Sequence, residues 1–112
     1  MTSNETLKNA FVGTWKGTDH GSLDKNETNH WSVIRTDDCK FYVEFTTYFK
    51  DGSVEKSQES GLWFVDEEFF YEQREGEEQA DVYTYQILSD KIIRFKDIIS
   101  NYQFTDELVL PN

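Results

Sequence analysis

Residues 39–50 alternate between two kinds of side chain more cleanly than any other stretch of the chain. One set is mostly apolar and the other mostly polar: Cys39, Phe41, Val43, Phe45, Thr47 and Phe49, against Lys40, Tyr42, Glu44, Thr46, Tyr48 and Lys50. Only a β-strand sends every second side chain to one face, because a helix distributes such residues around its axis. The stretch therefore predicts a long strand with an apolar inner face and a polar outer face.

Similar patterns, separated by turn residues, divide most of the remaining chain into strands. Turns are predicted at Asp37-Asp38, Asp51-Gly52, Asp66-Glu67 and Ser89-Asp90, where residues that favour tight turns interrupt the patterns. The predicted strands cover residues 12–18, 30–36, 39–50, 53–65, 68–75, 81–88, 91–97 and 102–110.

The two ends of the chain carry weaker signals. Thr2 or Ser3 can cap a short helical turn that places Leu7, Ala10 and Phe11 on one side. Pro111 is the only proline and is expected to end the last strand.

The number of strands and the short connections between them favour a closed architecture. About eight consecutive strands without a long helix would leave two exposed edges, and closure into a barrel removes them. We therefore predict an all-β, antiparallel up-and-down barrel with a short N-terminal helical turn. A β-sandwich is the structural alternative. The 112 residues are expected to form one domain.

Charge and cysteine content bound the possible partners and the compartment. The formal net charge is −11, which repels nucleic acid and anionic membrane surfaces. Cys39 is the only cysteine, so no internal disulfide can form. Neither a signal peptide nor an apolar run long enough to span a membrane is visible, and a cytoplasmic location is expected.

The stretch FVGTWKGT, residues 11–18, resembles the beginning of a lipocalin. Gly13-Thr14-Trp15 stands where lipocalins carry a Gly-x-Trp signature at the start of their first strand. HWSVIRTDDCKFYVEF, ESGLWFVDEEFFYE and YTYQILSDKIIRF are similar to recurrent hairpins of lipocalin-like (calycin-type) domains of intracellular proteins. The resemblance implies that Trp15 fills the barrel floor and that a late-strand arginine packs over it, with Arg94 as the candidate. Gly17 is expected to permit close approach by a neighbour.

Strand registers decide which side chains enter the barrel. A three-residue turn before the third strand places Trp31 and Val33 beside Phe45 and Val43, and we favour it because it buries more apolar area than a two-residue turn. For the fourth strand two registers remain open, one turning Lys56, Gln58, Ser60 and Leu62 inward, the other Glu55, Ser57, Glu59 and Trp63. Both place polar groups beside an apolar wall, so the region is either a wet cavity or a strand leaning outward at the mouth.

A second cluster comes from the hairpin that turns at Ser89-Asp90. A two-residue turn there places Tyr85 opposite Arg94 and Tyr83 opposite Lys96. A guanidinium beside a phenol inside a cavity can hold a carboxylate. In the alternative, Ile93 and Phe95 face inward and Arg94 faces solvent.

The function predicted from these patterns is binding of a small, mainly apolar molecule, with an acidic group held by Arg94. The predicted ligand-contacting residues are Trp31, Phe41, Val43, Phe45, Trp63, Tyr83, Tyr85 and Arg94. No cofactor and no metal are expected, because His20 and His30, near Asp19 and Asp24, do not have a metal-ligand spacing.

Two other functions remain open. Some barrels that resemble lipocalins are enzymes, and Tyr85, Arg94 and Glu59 are the candidate set here. Alternatively, the acidic exterior binds a basic protein partner, with Tyr42 and Tyr48 as anchors. The same two tyrosines are candidates for a homodimer interface.

Overall fold

A computed structural model describes residues 4–20 and 25–110 of the chain. Helix α1 (Asn4–Asn9) precedes eight strands: β1 (Gly13–His20), β2 (Glu27–Arg35), β3 (Lys40–Phe49), β4 (Val54–Val65), β5 (Phe70–Arg74), β6 (Asp81–Ser89), β7 (Ile92–Asp97) and β8 (Gln103–Leu108). Each strand pairs antiparallel with its neighbours in sequence, and β8 pairs with β1 to close the sheet. The predicted up-and-down barrel with a short N-terminal helix is confirmed, and the sandwich alternative is wrong.

Most predicted strand limits agree with the structure to within a few residues. β5 is shorter than predicted because the Asp66 carboxylate accepts hydrogen bonds from the backbone N–H groups of Glu68, at 2.8 Å, and Phe69, at 2.7 Å. These bonds hold both residues in the preceding turn. The predicted capping residues Thr2 and Ser3, and the predicted terminator Pro111, lie outside the described residues.

Helix α1 and the residues after it close one end of the barrel. Phe11 is fully buried and stacks on Phe70, with ring centroids 5.4 Å apart. Trp15 is also buried, and its Nε1–H donates to the Phe11 carbonyl at 2.9 Å. Gly13 adopts a φ of +135°, which lets the chain turn from the helix into β1. Trp15 therefore fills the floor of the barrel, as expected.

The turn between β2 and β3 has the three residues that the sequence predicts. The Thr36 N–H donates to the Lys40 carbonyl at 2.9 Å, and Trp31 and Val33 pair with Phe45 and Val43. The predicted register of β2 is therefore confirmed.

The turn between β3 and β4 also has three residues. The Phe49 N–H donates to the Ser53 carbonyl at 3.0 Å, and Gly52 takes a φ of +91°. Glu59 consequently pairs with Val43, and the second of the two open registers is the one adopted. Trp63 lies on the inner face and is fully buried at the closed end.

The predicted register between β6 and β7 is wrong. A β-bulge between Ile87 and Ser89 shifts the pairing by one residue, so Tyr85 lies opposite Phe95, and Gln86 lies opposite Arg94. Arg94 is consequently exposed on the outer face, where its Nη1 lies 3.5 Å from the Gln86 side-chain oxygen.

Candidate functional site

The barrel encloses a cavity of about 320 Å³ between its closed end and the opposite, open end. We call this space the barrel cavity. Its apolar wall consists of Trp31, Val33, Phe41, Val43, Phe45 and Phe104. Its charged wall consists of Arg35, Glu59, Glu72, Arg74, Asp97 and Asp106. Asn29, Tyr83, Ser100 and Tyr102 complete the lining.

The aromatic wall is held in place by specific contacts. The Trp31 indole N–H donates to Asp106 Oδ1 at 2.8 Å, and its ring packs edge-on against Phe104 at a centroid distance of 5.6 Å. Phe104 in turn stacks on Phe95 at 5.1 Å. Because these side chains already have partners in the free protein, the cavity is preformed.

Arg35 and Asp106 form a buried ion pair at the base of the cavity. Arg35 Nη2 lies 2.7 Å from Asp106 Oδ2, and the side chains are only 2% and 1% exposed. The guanidinium carbon lies 5.8 Å from the Trp15 ring and 5.0 Å from the Phe70 ring. The arginine that packs over Trp15 is therefore Arg35 from β2, and the expectation that Arg94 does so is wrong because Arg94 faces outward.

Arg74 organises the carboxylates on the other side of the cavity. Its Nε lies 2.6 Å from Glu59 Oε2, and its Nη1 lies 3.4 Å from Asp81 Oδ2 and 3.8 Å from Glu77 Oε1. These three acidic residues compensate the charge of Arg74.

Glu72 lies on β5. Unlike Asp106 and Glu59, it forms no ion pair with Arg35 or Arg74. It pairs with the inward-facing Trp63 across one strand boundary and with Asp81 across the other. Within the part of the chain that the structure describes, no hydrogen bond or ion pair joins its carboxyl group to another residue. Burial raises the pKa of this carboxyl to about 7.

The surrounding charges act on Glu72 in opposite directions. The guanidiniums of Arg35 and Arg74 lower its pKa, whereas the carboxylates of Asp106 and Asp81 raise it further. Burial also raises the pKa of the neighbouring Tyr83 phenol, and the Glu72 and Asp81 carboxylates add to that shift. Glu72 is thus poised to change its charge near neutral pH, while Tyr83 remains a neutral phenol.

Polar groups order the open end of the cavity. The Tyr102 hydroxyl donates to Asp19 Oδ1 at 3.1 Å, and its pKa is raised, first by burial and then by Asp19. Asp97 Oδ1 accepts the backbone N–H groups of Ile99, at 2.8 Å, and Ser100, at 3.0 Å. These bonds hold the segment between β7 and β8 at the mouth.

Five of the eight predicted ligand-contacting residues line the cavity: Trp31, Phe41, Val43, Phe45 and Tyr83. Trp63 and Tyr85 instead lie at the closed end, where the Tyr85 hydroxyl donates to the Asp66 carbonyl at 2.7 Å. Arg94 is on the outside of the barrel. The structure therefore does not bring together Tyr85, Arg94 and Glu59, the candidate catalytic set.

Sequence reasoning missed most of the charged wall. Phe70, Glu72 and Arg74 share one face of β5, but Tyr71 gives the other face an aromatic residue as well, so the alternation is ambiguous. Arg35 and Asp106 are adjacent only because the barrel closes.

The outer face carries a larger but more open groove of about 760 Å³ between β3, β4 and the segment after β5. Ile34, Tyr42, Glu44 and Gln58 are among its lining residues. Tyr42 and Tyr48, the predicted interaction anchors, are 49% and 46% exposed on this face. We take the barrel cavity as the candidate site because it lies inside the barrel and has the more apolar lining.

Residues 4–20 and 25–110 contain neither a cluster of potential metal ligands nor a helix that could span a membrane. No three or more His, Cys, Asp or Glu side chains are grouped so that they could hold a metal ion. Asp24, considered above beside the histidines, lies outside these residues. Over the same ranges, no helix combines the length and apolar character needed to cross a membrane.

Comparison with known proteins supports the architecture. No protein-family model and no curated protein sequence matches the chain. Among solved structures, the chain is similar to a de novo designed fluorescence-activating β-barrel, with a TM-score of 0.52 and 17% sequence identity over 96% of this chain and 100% of the designed one. The two chains share a fold. At this level of identity, the likeness shows nothing further.

Proposed function

We propose that this protein binds a small, mainly apolar molecule inside the barrel cavity. The observation that carries the proposal is a space of about 320 Å³ inside the barrel, whose apolar wall includes a tryptophan, Trp31, that is held in place by a hydrogen bond of the protein itself. Ligand sites in proteins are typically concave and mostly apolar, with a few placed polar groups. Trp31, Phe45 and Phe104 supply the apolar contact, and the charged wall supplies the polar groups.

The proposal extends to kinship with the lipocalin-like domains that the sequence resembles. Gly13-Thr14-Trp15 opens the first strand, and a buried arginine packs over the tryptophan, here Arg35 at 5.8 Å. Small barrels of this kind either fill their interior with side chains or leave room for one small ligand. The homodimer and the cytoplasmic location remain separate predictions.

The first test uses a neutral, environment-sensitive dye such as prodan. The similar designed barrel is described as fluorescence-activating, so dye emission is a natural first readout. We expect Val43→Trp, which adds volume to the inner wall, to weaken dye binding at least about tenfold, or about 1.4 kcal/mol. Tyr42→Trp is the matched control, because it adds an indole on the outer face of the same strand.

Near-UV circular dichroism establishes that both variants are folded before the dye is added. Equal dye binding by folded Val43→Trp and by the original protein would contradict the proposal. Native mass spectrometry of the purified protein provides a second readout, since a co-purifying organic mass that Val43→Trp loses and Tyr42→Trp retains would support a ligand in the cavity.

A further inference from the structure

We propose that the ligand of the barrel cavity carries a positively charged amine or a similar organic cation, which binds the Glu72 carboxylate. The inference rests on the proposed function and adds to it the charge of the ligand. It replaces the acidic group that the sequence analysis assigned to Arg94, which faces away from the cavity.

Both arginines in the wall already form ion pairs with carboxylates of the protein. Arg35 pairs with Asp106 at 2.7 Å, and Arg74 pairs with Glu59 at 2.6 Å and Asp81 at 3.4 Å. Arg35 does have two nitrogens without hydrogen-bond partners, Nε and Nη1, but both expose almost no surface. Its guanidinium is instead surrounded by aromatic rings, including those of Phe70 at 5.0 Å and Phe95 at 5.3 Å.

Glu72 has the opposite character, because it is unpaired and its side chain keeps accessible surface on the cavity. A partly buried carboxylate without a partner has lost hydration, and a cation that reaches it supplies the missing favourable interaction. The same loss of hydration raises the pKa of this carboxyl to about 7.

Besides Glu72, the lining of the cavity contains more carboxylates than guanidiniums. Two guanidiniums, Arg35 and Arg74, contribute to the cavity wall. Three other carboxylates also line the cavity, those of Glu59, Asp97 and Asp106. Asp81 lies directly beside Glu72 in the sheet. The carboxylates thus exceed the cations even while Glu72 is protonated.

The aromatic wall suits a cation as well as an apolar body. The faces of Trp, Tyr and Phe rings attract ammonium groups, and desolvation in a cavity strengthens that attraction. Trp31 and Tyr83 line the same cavity as Glu72. An arylalkylamine, with a ring for the apolar wall and an ammonium group for Glu72, matches both parts.

The test compares three probes of similar size by isothermal titration calorimetry: 2-phenylethylamine, 2-phenylethanol and 3-phenylpropanoate. We expect the amine to bind at least about tenfold more tightly than the alcohol, and the carboxylate to bind most weakly. Glu72→Gln should lower the ratio of the amine and alcohol association constants about tenfold. Glu44→Gln, which removes one carboxylate from the outer face of β3, should leave the ratio unchanged.

The pH dependence of amine binding gives an independent readout. Because the ammonium group favours the ionised form of Glu72, amine affinity should rise between about pH 5.5 and about pH 8 and level off above the carboxyl pKa. In Glu72→Gln this rise should disappear. Because the two proteins differ only at Glu72, their comparison removes the contributions of the other charged groups that line the cavity.

The outcomes separate this inference from the proposed function. If the alcohol or the carboxylate binds as tightly as the amine, or if Glu72→Gln leaves the ratio unchanged, the cation inference is wrong while a binding cavity remains supported. If no probe binds and the neutral dye does not bind either, both proposals are wrong.

Discussion

Gly17 leaves no room for a side chain because Trp31 lies directly opposite it across the β1–β2 boundary. A Cβ atom at this position would lie 2.3 Å from the Trp31 ring. The close approach expected of Gly17 from the sequence is therefore confirmed. The residue that approaches it is also a wall of the cavity.

We expect Gly17→Ala to displace Trp31 and break its hydrogen bond to Asp106. Overpacking of this kind costs about 1–3 kcal/mol of unfolding free energy. Urea denaturation measures the loss, and neutral dye binding should weaken in parallel. Lys16→Ala, on the outer face of the same strand, should change stability by no more than about 0.5 kcal/mol. Equal effects of the two substitutions would contradict the assigned contact.

Glu72 links stability to pH in a direction that can be worked out from its pKa. The carboxyl titrates near its ordinary value of 4.5 in the unfolded chain and at about 7 in the folded protein. Between these values the folded state binds more protons, so its stability falls as the pH rises. The stabilising contribution is complete below the lower value and lost above the higher one.

Glu72→Gln should therefore be more stable than the original protein at about pH 8, by about 3 kcal/mol, and equal to it near pH 4. Chemical denaturation at a series of pH values measures the difference. Glu44→Gln controls for the loss of one negative charge at an exposed site. A pH-independent difference would show that the Glu72 carboxyl is not perturbed as described.

Among the elements, the β2–β3 turn departs from the residue type that its geometry favours. Cys39 adopts a φ of +67°, the left-handed conformation that glycine favours at the end of a three-residue hairpin turn. Cys39 at this position thus stores conformational strain, since residues with a Cβ atom disfavour this region.

Cys39→Gly should raise the unfolding free energy by about 0.5 kcal/mol, because relief of the strain exceeds the added entropy of the unfolded chain. Asn101 provides a comparison, since it has a similar φ of +62° but belongs to a residue type that tolerates this conformation. Asn101→Gly should therefore bring a smaller gain or a loss. Thermal and urea unfolding of both variants give the ordering, and a larger gain for Asn101→Gly would contradict the account.

At the scale of the whole molecule, one ion pair joins strands that are distant in sequence. Arg35 ends β2 and Asp106 lies in β8, yet their charged atoms are 2.7 Å apart in the interior. Asp106 also accepts the Trp31 indole N–H at 2.8 Å, so a single carboxylate serves both the base and the wall of the cavity.

Asp106→Asn should destabilise the barrel by about 3–5 kcal/mol, because it leaves the Arg35 cation buried without a counter-charge. Combining Arg35→Met with Asp106→Leu removes both charges and should recover most of that loss. Urea denaturation of the single and double variants forms the comparison. A double variant less stable than Asp106→Asn would show that the pair contributes more than mutual compensation of charge.

The amino-acid sequence by itself determined the architecture. Alternation along β3 and regularly placed turns specify eight antiparallel strands, because a pleated strand sends every second side chain to the same face. The same pattern selected the β2–β3 register, and with it Trp31, Val43 and Phe45 on the cavity wall. These features depend on contacts between residues close in sequence.

Only the tertiary structure decided the charged part of the candidate site. A β-bulge after Ile87 turned Arg94 outward. The local sequence pattern did not predict the extra residue that forms this bulge. Closure of the barrel placed Arg35 beside Asp106. The pairing of β4, β5 and β6 placed Arg74 within ion-pair distance of Glu59 and Asp81. Glu72 was left unpaired as a result. Electrostatic partners are set by distance in space, which a register shift of one residue is enough to change.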